Sequence, residues 1–180
     1  MEHKNLERYL NSLGKQVVNR AKANLGEEKG GGTALAGSIR YELTKEFDVK
    51  FFMNSYGKFL DKGVSGTKVK RSFKNQENQT EISPFSYTTK GPPIDILSKW
   101  IKMKGIKPKG LGRGRSKKTG QYISGFAYLI SRKIKRDGIK ALSFFQKPFG
   151  LAMKNFVFLY GQALKKDIEE ALSKAEEKLN

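Results

Sequence analysis

The chain has 180 residues, with 36 Lys/Arg against 17 Asp/Glu and a formal net charge of +19. It has no cysteine and one histidine, His3, which excludes disulfides and thiolate metal sites and argues against histidine catalysis or a His-rich metal centre. At 37% hydrophobic content, with no run near the ~18 apolar residues of a membrane span and no apolar leader, the expectation is one soluble domain with an ordinary core and no cofactor.

Leu6, Leu10, Leu13, Val17 and Ala21 recur at three- and four-residue steps, with Tyr9, Val18 and Leu25 alongside. This spacing predicts a helix over about Asn5 to Leu25. Gly14 weakens it by about 1 kcal/mol relative to alanine without ending it, and Gly26 reads as its stop. His3 precedes it at a start expected to fray. Gly30-Gly-Gly32 reads as a linker, because no Gly-Lys-Ser/Thr follows to make a phosphate loop. Arg40-Tyr-Glu-Leu43 and the alternating stretch Phe47 to Met53 predict two adjacent strands in an antiparallel hairpin. Tyr56, Phe59 and Leu60 fit one short helical turn closed by Gly63. Residues 64–91 are polar and irregular, and are expected to be mobile in an isolated subunit.

Pro92-Pro93 opens a predicted helix from Ile94 to Lys104, with Ile94, Leu97, Trp100 and Ile101 as its buried face. The stretch from Lys99 to Lys140 holds fourteen Lys/Arg and one acid, Asp137, and so thirteen of the nineteen net positive charges. Within it lies a glycine-rich loop carrying Lys107, Lys109, Arg113, Arg115, Lys117 and Lys118 without one acid. These glycines predict a mobile loop with no regular element. Tyr122 to Asp137 then reads as a helix whose last turn is loaded with cations, where they suit the helix dipole. One-signed charge concentrated on a folded protein argues for a polyanionic partner. The six loop cations are the candidate contacts to double-stranded DNA, made through phosphates and without base readout. Tyr56, Trp100, Tyr122 and Tyr128 are able to stack on bases, but at helical spacing they read as core.

From Pro148 onward, Phe149, Ala152, Phe156, Leu159, Ala163, Leu164, Ile168 and Leu172 hold helical spacing to the end. One helix of about 45 Å is predicted, packed against the first helix or against a neighbouring subunit. Its Phe156 is expected to be core, with Phe156→Ala costing about 3–5 kcal/mol. No catalytic set emerges. Glu42, Glu46, Asp48 and Asp61 are the only acids near one another in the strand region, their alternation predicts that they face solvent, and the expectation is a non-enzyme.

Three segments together resemble bacteriophage neck and tail-completion (head-tail joining) proteins. These often follow their first helix with a Thr-Gly-x-Leu-x-x-Ser-Ile-like segment, then a strand, then a Tyr-Ala-x-Phe-x-Glu-x-Gly-Thr-like segment. Here the matching stretches are Thr33-Ala-Leu-Ala-Gly-Ser-Ile39 and Tyr56-Gly-Lys-Phe-Leu-Asp-Lys-Gly63. The first lacks the glycine after Thr33, and the second has Asp61 in place of the common glutamate. A helix ahead of a Pro-x-x-Phe-Phe-like turn and a final helix is matched by the stretch from Ala127 to Phe145, with Ala141 at the proline. The resemblance implies an α+β fold, a small antiparallel sheet packed by long N- and C-terminal helices. It implies a single domain over 1–180, here with a basic helix-loop-helix insertion at about 92–137. It further implies a structural virion protein, assembled in the host cytoplasm, that forms a ring of about six or twelve copies at the neck. Such a ring contacts portal or connector and tail proteins and lines or flanks the DNA path. The reading from charge alone is a free, non-sequence-specific nucleic-acid-binding protein.

Overall fold

The computed structural model describes residues 3–27, 33–106, 113–115 and 122–179; Gly30-Gly-Gly32 lies outside them. The architecture is α+β, built as two units that each pack internally. The first comprises Met1–Gly57, Lys74–Gln79 and Ser143–Asn180, and the second Lys58–Phe73 and Thr80–Leu142.

The first unit is arranged around α1 (Lys4–Glu27). Its predicted stripe is its buried stripe: Leu6, Leu10, Leu13, Val17 and Ala21 are all at or below 7% exposure. Against it lie α2 (Thr33–Ser38), the antiparallel pair β1 (Arg40–Leu43) and β2 (Val49–Phe52), α6 (Gln146–Met153) and α7 (Phe156–Leu179). The hairpin register sets Arg40 opposite Phe52 and Leu43 opposite Val49. Gly14 has a packing reason to be in α1, because any Cβ there would enter the ring of Tyr41. Tyr41 thereby packs closely against the helix, its hydroxyl donating to Asn11 Oδ1 at 3.2 Å. Aromatic pairs close the rest: Phe51 meets Phe145 and Phe149 edge-on at 5.4 and 5.9 Å, and Tyr9 meets Phe156 at 6.1 Å.

The first turn of α1 is capped from the far end of the chain. The buried Asp167 carboxylate on α7 accepts from the backbone N–H of Asn5 at 2.8 Å and of Leu6 at 3.0 Å, and from Asn5 Nδ2 at 2.9 Å. Helix N-termini leave such donors unpaired, and an anion there also suits the dipole. The first turn is thus held, and His3 packs edge-on to Phe47 at 5.2 Å, which corrects the expected fraying. Burial alone would raise the Asp167 pKa, but the N–H donors of Asn5 and Leu6, the Asn5 amide and the charge of His3 together hold it below the ordinary carboxylate value. A lowered folded-state pKa contributes stability above the unfolded value, and this is lost as pH falls through the folded one. Asp167→Asn is therefore expected to cost about 1.5–3 kcal/mol at neutral pH. In chemical unfolding, the gap between wild type and variant should close as pH drops below ~3.9; a gap that is constant with pH would contradict the charged cap.

Where one terminal helix is expected from Pro148 onward, two occur, α6 and α7, separated by Lys154 and Asn155. Phe156 is only half-buried, whereas Phe144 is fully buried. The turn at Lys74–Gln79 joins this unit through Lys74 N–H, which donates to Ser143 Oγ at 3.1 Å, and through Gly150, whose missing side chain admits the Gln76 carbonyl.

The second unit begins within α3 (Gly57–Lys62) and holds all but the last residue of β3 (Ser72–Lys74), which pairs with β4 (Thr80–Ile82). Residues 64–91, expected to be irregular, are instead tied by backbone hydrogen bonds. Val64 bridges Ile139, Ser65 N–H donates to the Phe85 carbonyl at 2.8 Å, and Tyr87 N–H to the Ser65 carbonyl at 2.8 Å. Buried Ser83 adds a hydroxyl donation to the Gly63 carbonyl at 2.7 Å. Asp61, expected to face solvent, is 3% exposed, while Glu42, Glu46 and Asp48 are not buried.

Candidate nucleic-acid interface

The basic part of the chain lies in the second unit, on three elements that contact one another. They are α4 (Ile94–Met103), the antiparallel ribbon of β5 (Arg113–Arg115) and β6 (Tyr122–Ser124), and α5 (Gly125–Asp137). Pro93, with φ −59°, sits at the N-cap of α4, where its missing N–H costs nothing. The helix ends at Lys104 and at Gly105 with φ +64°. Gly105 and Ile106 N–H return to the Lys102 and Ile101 carbonyls at 3.1 Å each.

The ribbon corrects two expectations. The glycine-rich loop is expected to contain no regular element, yet Arg113 pairs with Ser124, Gly114 with Ile123 and Arg115 with Tyr122. The second helix is expected from Tyr122, yet it begins at Gly125. Of the six candidate DNA contacts, Arg113 and Arg115 lie on β5. Lys107, Lys109, Lys117 and Lys118 lie outside the described residues.

The C-terminal end of α5 is clamped by the loop after Val64. Thr67 and Lys68 N–H donate to the Lys135 and Arg136 carbonyls at 2.9 Å each, and Arg71 Nε to the Asp137 carbonyl at 2.8 Å. Pairing these last carbonyls with donors, one of them charged, satisfies groups a helix otherwise leaves open. Ser131 Oγ donates to the Pro92 carbonyl at 2.7 Å, and Lys135 Nζ to the Thr89 carbonyl at 2.7 Å. The cations of α5 are thus sorted by role. Lys135 braces the loop, while Lys133 and Arg136 share Asp137 at 3.1 and 2.6 Å. The Arg136 and Lys133 hydrogen bonds hold the Asp137 carboxyl far below the usual carboxylate range. The Arg132 guanidinium lies 5.7 Å over the Tyr128 ring.

Three of the four aromatic residues expected in the core are at the surface, and the side chain of Tyr122 lies outside the described residues. Tyr56, Trp100 and Tyr128 are 43%, 42% and 44% exposed. Trp100 and Tyr128 belong to the basic helices, and the Arg132 guanidinium covers one face of the Tyr128 ring, so it is the cations of this unit that suit a phosphate backbone. Sequence periodicity misses the exposure of these rings, since Trp100 fits a helical stripe equally well on either face of an amphipathic helix.

Elsewhere, an open depression of about 510 Å³ in the first unit is lined by Glu7, Asn11, Tyr41, Leu43, Thr44, Lys45 and Phe47. Its polar groups are one acid, one lysine, two neutral side chains and a phenol already donating to Asn11, with no nucleophile and base paired. Among the described residues, no group of three or more His, Cys, Asp and Glu side chains is placed to hold a metal ion. No described helix is long and apolar enough to cross a membrane. Compared with known proteins, the chain matches no family model, no curated protein and no solved structure.

Proposed function

We propose that the protein is a structural component of a bacteriophage neck. In this role it forms a ring at the head-tail joint, connects portal or connector to tail, and places its basic second unit on the DNA path. The observation that carries this reading is that Leu35, Ser38 and Ile39 of the first matched segment, and Phe144 of the double-Phe turn, are packing and hydrogen-bonding residues of the first unit. Leu35 and Ile39 are at most 1% exposed. Ser38 Oγ donates to the Leu35 carbonyl at 2.7 Å and accepts from Asn54 N–H at 3.1 Å. Phe144, of the double-Phe turn, is fully buried. The element order is in keeping with it: a long first helix, a short helix, a hairpin, a short helix, a second strand pair, the basic α4–β5–β6–α5 segment, an aromatic turn, the short α6 and a long last helix. Sedimentation and electron microscopy of the purified protein test the reading. Closed rings are expected, and a strict monomer up to the solubility limit would refute it.

A second reading, a free nucleic-acid binder, is favoured by the concentration of charge on the second unit. Both readings predict phosphate contacts at Lys107, Lys109, Arg113, Arg115, Lys117 and Lys118. Replacing all six with Gln is expected to weaken duplex binding and to flatten log affinity against log salt by up to ~0.9 per lost contact. An unchanged slope in the folded variant would remove this loop from the interface. Ring formation with weakened DNA binding assigns the protein to the neck, and a monomer with the same salt dependence assigns it to the free binder.

A further inference from the structure

Two helix faces are apolar and open. On α4, Ile96, Trp100 and Met103 follow at four- and three-residue steps, so they share a face, and they are 58%, 42% and 81% exposed. The other side of α4 carries Ile101 inward, at 4% exposure. Lys99 and Lys104 flank the open stripe, each at about 70° from its centre for 100° per residue. On α7, Ile168 and Leu172 are 44% and 59% exposed, on the side away from buried Ala163 and Asp167. Glu169, which pairs with Lys165 at 3.5 Å, and the acid Glu176 run along one edge of that stripe, and both are exposed.

Scattered surface hydrophobes need no account, but a stripe at helical spacing on each of two helices does. Charge decides what covers them. Ile94–Lys104 holds three lysines and one acid, whereas residues 168–177 hold four glutamates and one lysine. An α7–α7 pair would set glutamate edges of two copies together, and an α4–α4 pair would set lysines together. Only α7 on α4 joins apolar to apolar with opposite charges at the rim, an arrangement that gives specificity as well as attraction.

We propose that the two stripes are complementary halves of one head-to-tail contact, with α7 of one copy lying on α4 of a second copy and Trp100 as its central anchor. This rests on the ring reading above and specifies it. A contact between two different patches propagates from copy to copy and closes when the rotation divides a full turn. Such a helix pair covers less than the ~800 Å² per partner of a standard stable complex. The contact is therefore weak singly and persistent in a closed ring, where every copy is held by two contacts.

Two blocked variants test this by sedimentation, with thermal melts by circular dichroism to confirm folding. Leu172→Glu disables the α7 stripe, and Trp100→Glu the α4 stripe. Each variant alone is expected to be monomeric. Mixed in equal amounts, they retain one intact pair of faces between them and should form a heterodimer and nothing larger. If wild type assembles and either variant alone assembles fully, the ring reading stands and this contact is wrong. If Trp100→Glu alone forms dimers, α7 pairs with itself and the proposal is overturned. If wild type is never larger than a monomer, the ring reading falls and this inference with it. A charge exchange keeps the apolar residues in place. Glu169→Lys with Glu176→Lys, or Lys99→Glu with Lys104→Glu, should each weaken assembly at low salt, and all four together should restore it. Failure to restore would overturn the assignment.

Discussion

Phe144→Ala is expected to lower the stability of the first unit by about 3–5 kcal/mol, the cost of emptying a fully buried aromatic site that cannot collapse. Phe144 is 0% exposed and heads the fully buried side chains in size. Its backbone is fixed as well as its ring, because Asn24 Nδ2 donates to the Phe144 carbonyl at 3.2 Å. Asn24 is near the end of α1, so the cavity opens where the first helix is tied to the turn before α6. Urea unfolding followed by circular dichroism measures the loss. Phe156→Ala is the comparison. Its ring is half-buried, so the 3–5 kcal/mol expected of it from periodicity falls by about half. Equal losses at the two positions would contradict the packing described.

Gly138→Ala is expected to destabilise the second unit by about 2–5 kcal/mol. Two costs add. Gly138 has φ +74°, a left-handed conformation that costs a residue with a Cβ about 1–2 kcal/mol. A methyl group there would also collide with backbone, the Val64 carbonyl oxygen and the Gly66 nitrogen, and overpacking of this kind costs about 1–3 kcal/mol. Backbone cannot rotate aside as a side chain can. The collision would strain the Val64–Ile139 bridge, whose two hydrogen bonds are 2.9 and 2.7 Å. Gly105 separates the two costs. It has φ +64°, but a methyl group added there would meet nothing within 4 Å, so Gly105→Ala should show the conformational cost alone. Similar losses at both positions would show that the close approach at Gly138 does not exist.

The sequence shows those parts of this fold that repeat. The α1 stripe from Leu6 to Ala21 is periodic and is buried as read, and the alternation through Val49 and Phe51 is a strand as read. The break between α6 and α7 is invisible because it preserves phase. Phe149 and Phe156 are seven residues apart and fit one helical stripe, whether or not the two residues before Phe156 are helical. Residues 64–91 look featureless because their order comes from backbone groups and serine hydroxyls paired with residues far along the chain, and such bonds leave no apolar pattern. Tyr122 and Phe126 are four apart and suggest a helix, yet Tyr122 pairs with Arg115, a partner no local reading supplies. Of the candidate site, the basic concentration is legible as composition. The exposure of Trp100 and Tyr128 is not, because periodicity identifies a face without saying which side is covered.

The Asp167 cap has a consequence for how the protein is made. The first unit is discontinuous: its α1 leaves the ribosome first, while the carboxylate that closes its opening turn arrives only after all of Lys58–Leu142 has been synthesised. The intervening length costs little at equilibrium, since each doubling of a loop adds only ~0.6 kcal/mol, but contacts this distant in sequence form slowly. During synthesis the second unit is therefore able to settle first, while α1 waits with its apolar stripe uncovered for α6 and α7. The surface that α7 presents outward is created by the same step that buries its inner face on α1. A chain whose synthesis stops short of α7 has neither.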